Sequence, residues 1–114
     1  MKISEIRPFG KKIDIVAKVV SLGEIREVTS KLDNQPHKVT EVLVADDSGA
    51  ILVTLWDEAI EKVSEGKSYK FDNCYSSTFK NSLRLNIGRF GTFEETDDIA
   101  DVNTENNVSE KEIN

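Results

Sequence analysis

Two apolar runs separated by four turn-forming residues constrain this chain more than any other feature. Residues 38–45 (KVTEVLVA) and 50–56 (AILVTLW) flank Asp46-Asp47-Ser48-Gly49. Both runs are rich in β-branched side chains, and the link between them is short and polar, which predicts a β-hairpin. Asp46 and Asp47 are read as Asx-turn residues rather than metal ligands. A lone hairpin is marginal in water, so partner strands are required.

They are present on both sides. Residues 12–22 place Ile13, Ile15, Ala17 and Val19 on one parity, with Asp14 and Lys18 among the residues of the other, as in a strand with one buried face. Gly23 interrupts it, residues 24–28 continue it past a bend or bulge, and residues 29–36 form a turn-rich loop. Residues 57–66 change period: Asp57 is placed as an N-cap, Ile60 and Val63 share a face, and Gly66 ends a short helix. Strands at 67–74 and 82–90 follow, joined by a polar loop at 75–81. Strand, strand, strand, short helix, strand, strand predicts an all-β, five-stranded OB-fold barrel with the helix between strands three and four. An SH3-like barrel is the second choice, since it needs no helix at that point. Phe9 is assigned as an entry plug, Tyr69 and Phe71 to the core, and Phe90 and Phe93 to closing the last strand.

The net charge of -6 argues at first against a nucleic-acid ligand. It is unevenly spread. Residues 94–114 hold eight acids and one lysine, a charge of -7, which leaves +1 on residues 1–93. The segment has no aromatic residue and few aliphatics, so composition predicts a disordered acidic tail at 94–114 behind an OB-fold domain at 1–93. The longest apolar run is too short to cross a bilayer, and the first residues lack the apolar stretch of a signal peptide. A cytoplasmic protein without a membrane partner is expected. A single cysteine, Cys74, excludes an internal disulfide and falls on the solvated parity of its strand.

The aromatic positions carry the functional reading. Trp56 shares parity with Thr54, opposite to Ile51, Val53 and Leu55. It either faces outward as a ligand platform or covers the barrel mouth. Tyr75 and Phe79 lie in the loop between strands four and five, with Lys80 and Arg84 close by. Tyr75 has the inward parity of Tyr69 and Phe71 if the strand continues unbroken. Rings interleaved with cations suit single-stranded nucleic acid: bases stack on the rings and Lys or Arg follow the phosphates. Trp56, Tyr75 and Phe79 are the candidate stacking residues; Arg26, Lys31, Lys80 and Arg84 are the candidate phosphate or polar contacts. A duplex hides its base faces, so unpaired strands are the expected ligand, DNA or RNA. An OB-fold module that binds a peptide through the same groove is the alternative.

Catalysis is not expected. His37 is the only histidine, and no nucleophile triad, metal motif or phosphate-binding glycine loop occurs. No cofactor and no metal site are anticipated.

The stretch LVADDSGAILVTLW, followed after the helix by EGKSYKFDNCYSSTFKNSLRLNIG, resembles the archaeal single-OB single-stranded DNA-binding proteins and, through them, the DNA-binding OB domains of replication protein A. The resemblance spans roughly residues 5–92. Its most specific part is the acidic Ser-Gly hairpin, the strand ending Leu-Trp, and the aromatic-x-x-x-Phe-Lys loop. It implies base stacking on Trp56, Tyr75 and Phe79, and polar contacts at or near Arg26, Lys80 and Arg84. It further implies a protein that coats single-stranded DNA in replication, recombination and repair and recruits other proteins. A nucleoid-associated monomer is expected, and the charge of the acidic tail 94–114 suits docking on replication or repair proteins and competition with DNA. Two departures stand out: Tyr75 occupies a position often held by Trp, and the tail is short and acidic rather than Gly-rich.

Overall fold

The computed structural model describes residues 1–29, 31–87, 91–99 and 101–109. A 3-10 turn at Ile3–Glu5 precedes β1 (Ile13–Leu22), β2 (Arg26–Thr29), β3 (Pro36–Ala45), β4 (Ala50–Trp56), α1 (Glu58–Glu61), β5 (Ser68–Phe79), β6 (Ser82–Asn86) and β7 (Thr92–Glu95). The strands pair in the order β1-β3-β4-β6-β5-β7, and β1 also pairs with β5, so the hydrogen-bonded circuit returns to its first strand. The β4–β6 contact is parallel and the other pairings are antiparallel. This is the expected OB-fold.

The predicted hairpin has the register that its alternation requires, running from Val39 opposite Trp56 to Ala45 opposite Ala50. Asp46 holds its turn. One carboxylate oxygen accepts the Ser48 and Gly49 N–H groups at 2.8 and 3.2 Å, and the other accepts that of Ile3 at 2.9 Å. Ile13, Ile15, Ala17 and Val19 face inward against Val42, Val44, Ile51, Val53, Leu55, Phe71 and Leu85. Gly23 has a concrete cause: a Cβ there would meet the Glu41 carbonyl oxygen at 2.2 Å.

Four expectations need correction. The polar loop at 75–81 does not exist as such. β5 runs through to Phe79, and only Lys80 and Asn81, at φ 51° and 65°, make the turn into β6. Two central residues with positive φ match the twist of the flanking strands, as in a type I′ hairpin. The helix is a single turn, and Asp57 does not cap it: one carboxylate oxygen accepts the Lys38 N–H at 2.9 Å and the other lies 2.7 Å from His37 Nδ1.

Cys74 is buried rather than solvated. Ile15 pairs with Phe71 and Ile13 with Cys74, so β5 carries one residue more than β1 between those points. The bulge centres on Asn73 at φ 56°, whose N–H donates to Asp14 Oδ1 at 2.7 Å. Beyond it the inward parity changes from odd to even. Phe9 plugs nothing: it lies on the surface with 72% of its area exposed, while Ile3 and Ile6 are the residues of the N-terminal segment that enter the core.

Described residues of the C-terminal segment also meet the sheet. Thr92–Glu95 pair with β5, and Phe93 packs against Tyr69 and Phe71 with centroids 6.0 and 5.7 Å away. Further on, Asn103 donates to the Asp46 carbonyl, Asn106 accepts from Ala50, and Val108 donates to the Ala50 carbonyl, at 2.8–2.9 Å. The buried Ser109 hydroxyl accepts the Leu52 N–H at 2.9 Å and donates to the Leu83 carbonyl. These contacts satisfy backbone groups at the start of β4, a gain that an apolar census does not register. Phe90 and residues 110–114 lie outside the described residues.

Candidate nucleic-acid interface

β3, β4, β6 and β5 lie side by side, and their registers set rows of outward side chains. Glu41 stands opposite Thr54, Thr54 beside Asn86, and Asn86 opposite Tyr75. The next row is Leu43, Leu52, Arg84 and Ser77, and Phe79 lies beyond it opposite Ser82. Trp56 stands one row to the other side, opposite Val39, which in turn faces Arg26 of β2. Trp56, Tyr75 and Phe79 are 49, 45 and 52% exposed. The outward alternative for Trp56 is therefore the one realised. Tyr75 does not turn inward, because the bulge at Asn73 has already reversed the parity.

Strand spacing of about 4.8 Å and a rise of about 3.3 Å per residue put Tyr75 and Phe79 roughly 13 Å apart along β5, with Trp56 two strands away. Between Trp56 and Phe79 lies a cleft of about 290 Å³, floored by Glu41, Thr54, Asn86, Ser77 and Arg84. The Asn86 amide donates to Ser77 Oγ at 2.8 Å, which fixes its orientation.

The candidate cations divide into three kinds. Lys80 Nζ lies 5.4 Å from the Phe79 ring centroid and the Arg84 guanidinium 5.7 Å, so both polarise the same ring. The Arg84 side chain is only 16% exposed and pairs with Glu41, which also meets Arg26 at 3.4 Å. Burial, followed by the nearby Arg26, pushes the Arg84 guanidinium down from its ordinary value, although an arginine remains charged. Arg26 and Arg84 thus share one carboxylate in the cleft floor. Lys31 is exposed in the β2–β3 loop and does not line the cleft.

Sequence reasoning missed Glu41 and Asn86, and took Thr54 only as the mark of a face that meets water or a ligand. Thr54 shares the parity of Trp56, and Asn86 the parity opposite to Leu83 and Leu85, so alternation carried a signal for both. Nothing local marks Glu41 as the partner of two arginines.

His37 bridges two carboxylates at the edge of this face. Its Nδ1 lies 2.7 Å from Asp57 and its Nε2 3.0 Å from Asp33. Hydrogen bonds to Asp57 and then Asp33 raise the imidazole above its ordinary value. Asp33 and Asp57 are lowered, first by the Gln35 and Lys38 N–H groups respectively and next by His37. The bridge ties the β2–β3 loop to the residue that follows Trp56. Among the described residues no group of three or more metal-ligating side chains occurs, and no helix is long and apolar enough to cross a membrane.

Residues 6–95 match the family model described as single-stranded DNA binding protein Ssb-like, OB fold. The single-stranded DNA binding protein Ssb of Saccharolobus solfataricus is 26% identical over 87 residues, which cover 76% of this chain and 57% of that protein. Replication factor A of Methanothermobacter thermautotrophicus is 40% identical over 73 residues, 63% of this chain and 9% of the relative. The chain therefore spans little more than half of the first relative and a small part of the second. Among solved structures, a hypothetical protein from Arabidopsis thaliana superposes with a TM-score of 0.84 at 25% identity, covering 100% of this chain and 85% of the other. The second OB-fold domain of replication protein A from Methanococcus maripaludis gives 0.67 at 26% identity, over 85% of this chain and 96% of that one.

Proposed function

Because the chain belongs to the Ssb-like OB-fold family of single-stranded DNA-binding proteins, we propose that it holds unpaired DNA across the outward face of β3, β4, β6 and β5. The observation that supports this most is the trio of half-exposed rings, Trp56, Tyr75 and Phe79, on one continuous face. Each stacked base contributes about 1–3 kcal/mol whatever its identity. Lys80 and Arg26 lie where phosphates would pass, with Lys31 available from the neighbouring loop. Arg84, held by Glu41 under the Phe79 ring, stiffens the cleft floor and meets bases rather than phosphates. The chain would act as a binding protein, not an enzyme, protecting single strands during replication, recombination and repair.

Trp56 fluorescence titrated with oligo-dT, oligo-U and duplex DNA tests the reading. Strong quenching by oligo-dT and little by duplex is expected. Equal response to oligo-U would make RNA a ligand as well, and no response to any nucleic acid would leave a peptide-binding module. With about four phosphates engaged, the log–log salt slope should be roughly −3.

The acidic segment after Phe93 would serve replication or repair proteins as a docking element and compete with DNA for the cationic face. Because its described part packs against the sheet, charge neutralisation is a cleaner test than truncation. Asp97→Asn, Asp101→Asn and Glu105→Gln together neutralise three exposed acids of this segment. Tighter DNA binding at low salt is expected, and identical isotherms would remove the competition.

A further inference from the structure

The loop before β1 reads Arg7-Pro8-Phe9-Gly10-Lys11-Lys12, an aromatic residue among three cations. Its position is set by a single residue of β5. Ser76 donates its N–H to the Gly10 carbonyl at 3.0 Å, its hydroxyl accepts the Gly10 N–H at 2.7 Å, and the same hydroxyl donates to the Arg7 carbonyl. Ser76 is buried, so the anchor is part of the fold. Ile13 pairs with Cys74. Residues 10–13 therefore run antiparallel beside residues 76–74, which brings Lys11 and Lys12 alongside Tyr75 on the edge of β5 that β6 does not occupy.

The loop extends the aromatic face sideways. Thr54, Asn86 and Tyr75 form one row across three strands, and the lysines come next. Arg7, Phe9, Lys11 and Lys12 are all exposed, and among the described residues none of the three cations forms an ion pair. Phe9 stands at φ 61° and Lys12 at φ 53°, in the left-handed region that bulky residues seldom occupy. Strained backbone of this kind persists where neighbouring contacts over-determine it, and it concentrates at binding sites. No ring or cation stacks on Phe9 among the described residues.

We propose that residues 7–12 are a second contact region for single-stranded DNA, in which Phe9 offers a fourth stacking surface and Lys11 and Lys12 take phosphates beyond the base on Tyr75. The proposal rests on the reading of the aromatic face as a single-strand site. Charge complementarity and continuity with Tyr75 select a polyanion over a peptide as the occupant: three exposed cations beside an exposed ring match a phosphate chain carrying stackable bases.

A graded series of oligo-dT lengths, titrated against wild type, Phe9→Gly, the double variant Lys11→Gln/Lys12→Gln, and Trp56→Ala, provides the test. Glycine is at home at φ 61°, so Phe9→Gly should melt at or above the wild-type temperature. Wild-type affinity should keep rising with length after the groove is filled. Phe9→Gly should bind the longest oligomers about fivefold or more weakly and the shortest ones unchanged. The lysine variant should lower the salt slope by roughly 1.4, the share of two phosphates. If both loop variants match wild type at every length while Trp56→Ala loses binding, the groove reading stands and the loop is no part of the site. If wild type binds no oligomer, both readings fall together.

Discussion

β5 carries four aromatic residues at odd positions, and its two halves use them in opposite ways. Before Asn73, Tyr69 and Phe71 point inward and pack on Phe93. After it, Tyr75 and Phe79 point outward. Residue type and parity are the same in both halves. The single extra residue at the bulge separates a core from the face proposed to bind DNA, so in one strand the same chemistry packs the interior on one side and stands exposed on the other.

The largest expected effect comes from the inward half. Phe71→Ala should cost about 3–5 kcal/mol of stability, read from denaturant unfolding, because it empties a fully enclosed site among packed neighbours. Its effect on DNA affinity should be no larger than partial unfolding explains. Phe79→Ala should do the reverse, weakening oligo-dT binding by about 1–3 kcal/mol. Its stability should change by less than about 1 kcal/mol, since the ring is half exposed and lies outside the core. If Phe79→Ala unfolds the protein, or leaves binding untouched, the division of β5 proposed above is wrong.

A change at the divide itself is smaller. Asn73→Val places a β-branched residue at φ 56° and should destabilise by about 1–3 kcal/mol. Asn73→Gly, which takes this φ without strain, should cost less than the valine. The inward turn of Cys74 follows from the same bulge and has a chemical readout. Burial, with Asp14 and Asp72 nearby, pushes its thiol up to about 12. A thiol reagent should therefore leave the native protein unmodified at neutral pH and react fully in denaturant.

The smallest effect lies on the opposite side of the face, where β5 plays no part. Asp57 and Asp33 favour protonated His37 in the folded chain, which raises its pKa. That stabilisation is complete below the unfolded value of about 6.5 and is lost as pH climbs through the raised folded value. Between about pH 6 and about pH 8 the wild-type melting temperature should fall slightly more than that of His37→Gln. Identical slopes would mean that the bridge to the β2–β3 loop contributes nothing.

Sequence alone determined much of this protein. Alternation located the strands, the Asp46–Gly49 link established the hairpin, element order implied the OB-fold, and the rings with their neighbouring cations pointed to unpaired nucleic acid. These features depend on residues close together in the chain, where the side-chain period of a strand makes them countable. Only the tertiary structure decided the rest. At the bulge Asp14 takes the N–H of Asn73, 59 positions away, and parity counted along β5 alone cannot show that it carries one residue more than β1. Glu41 holds arginines from β2 and β6, and Ser76 pins a loop of the N-terminal region beside Tyr75. Each of these outcomes joins groups distant in sequence, and their meeting is settled by strand pairing rather than by local preference.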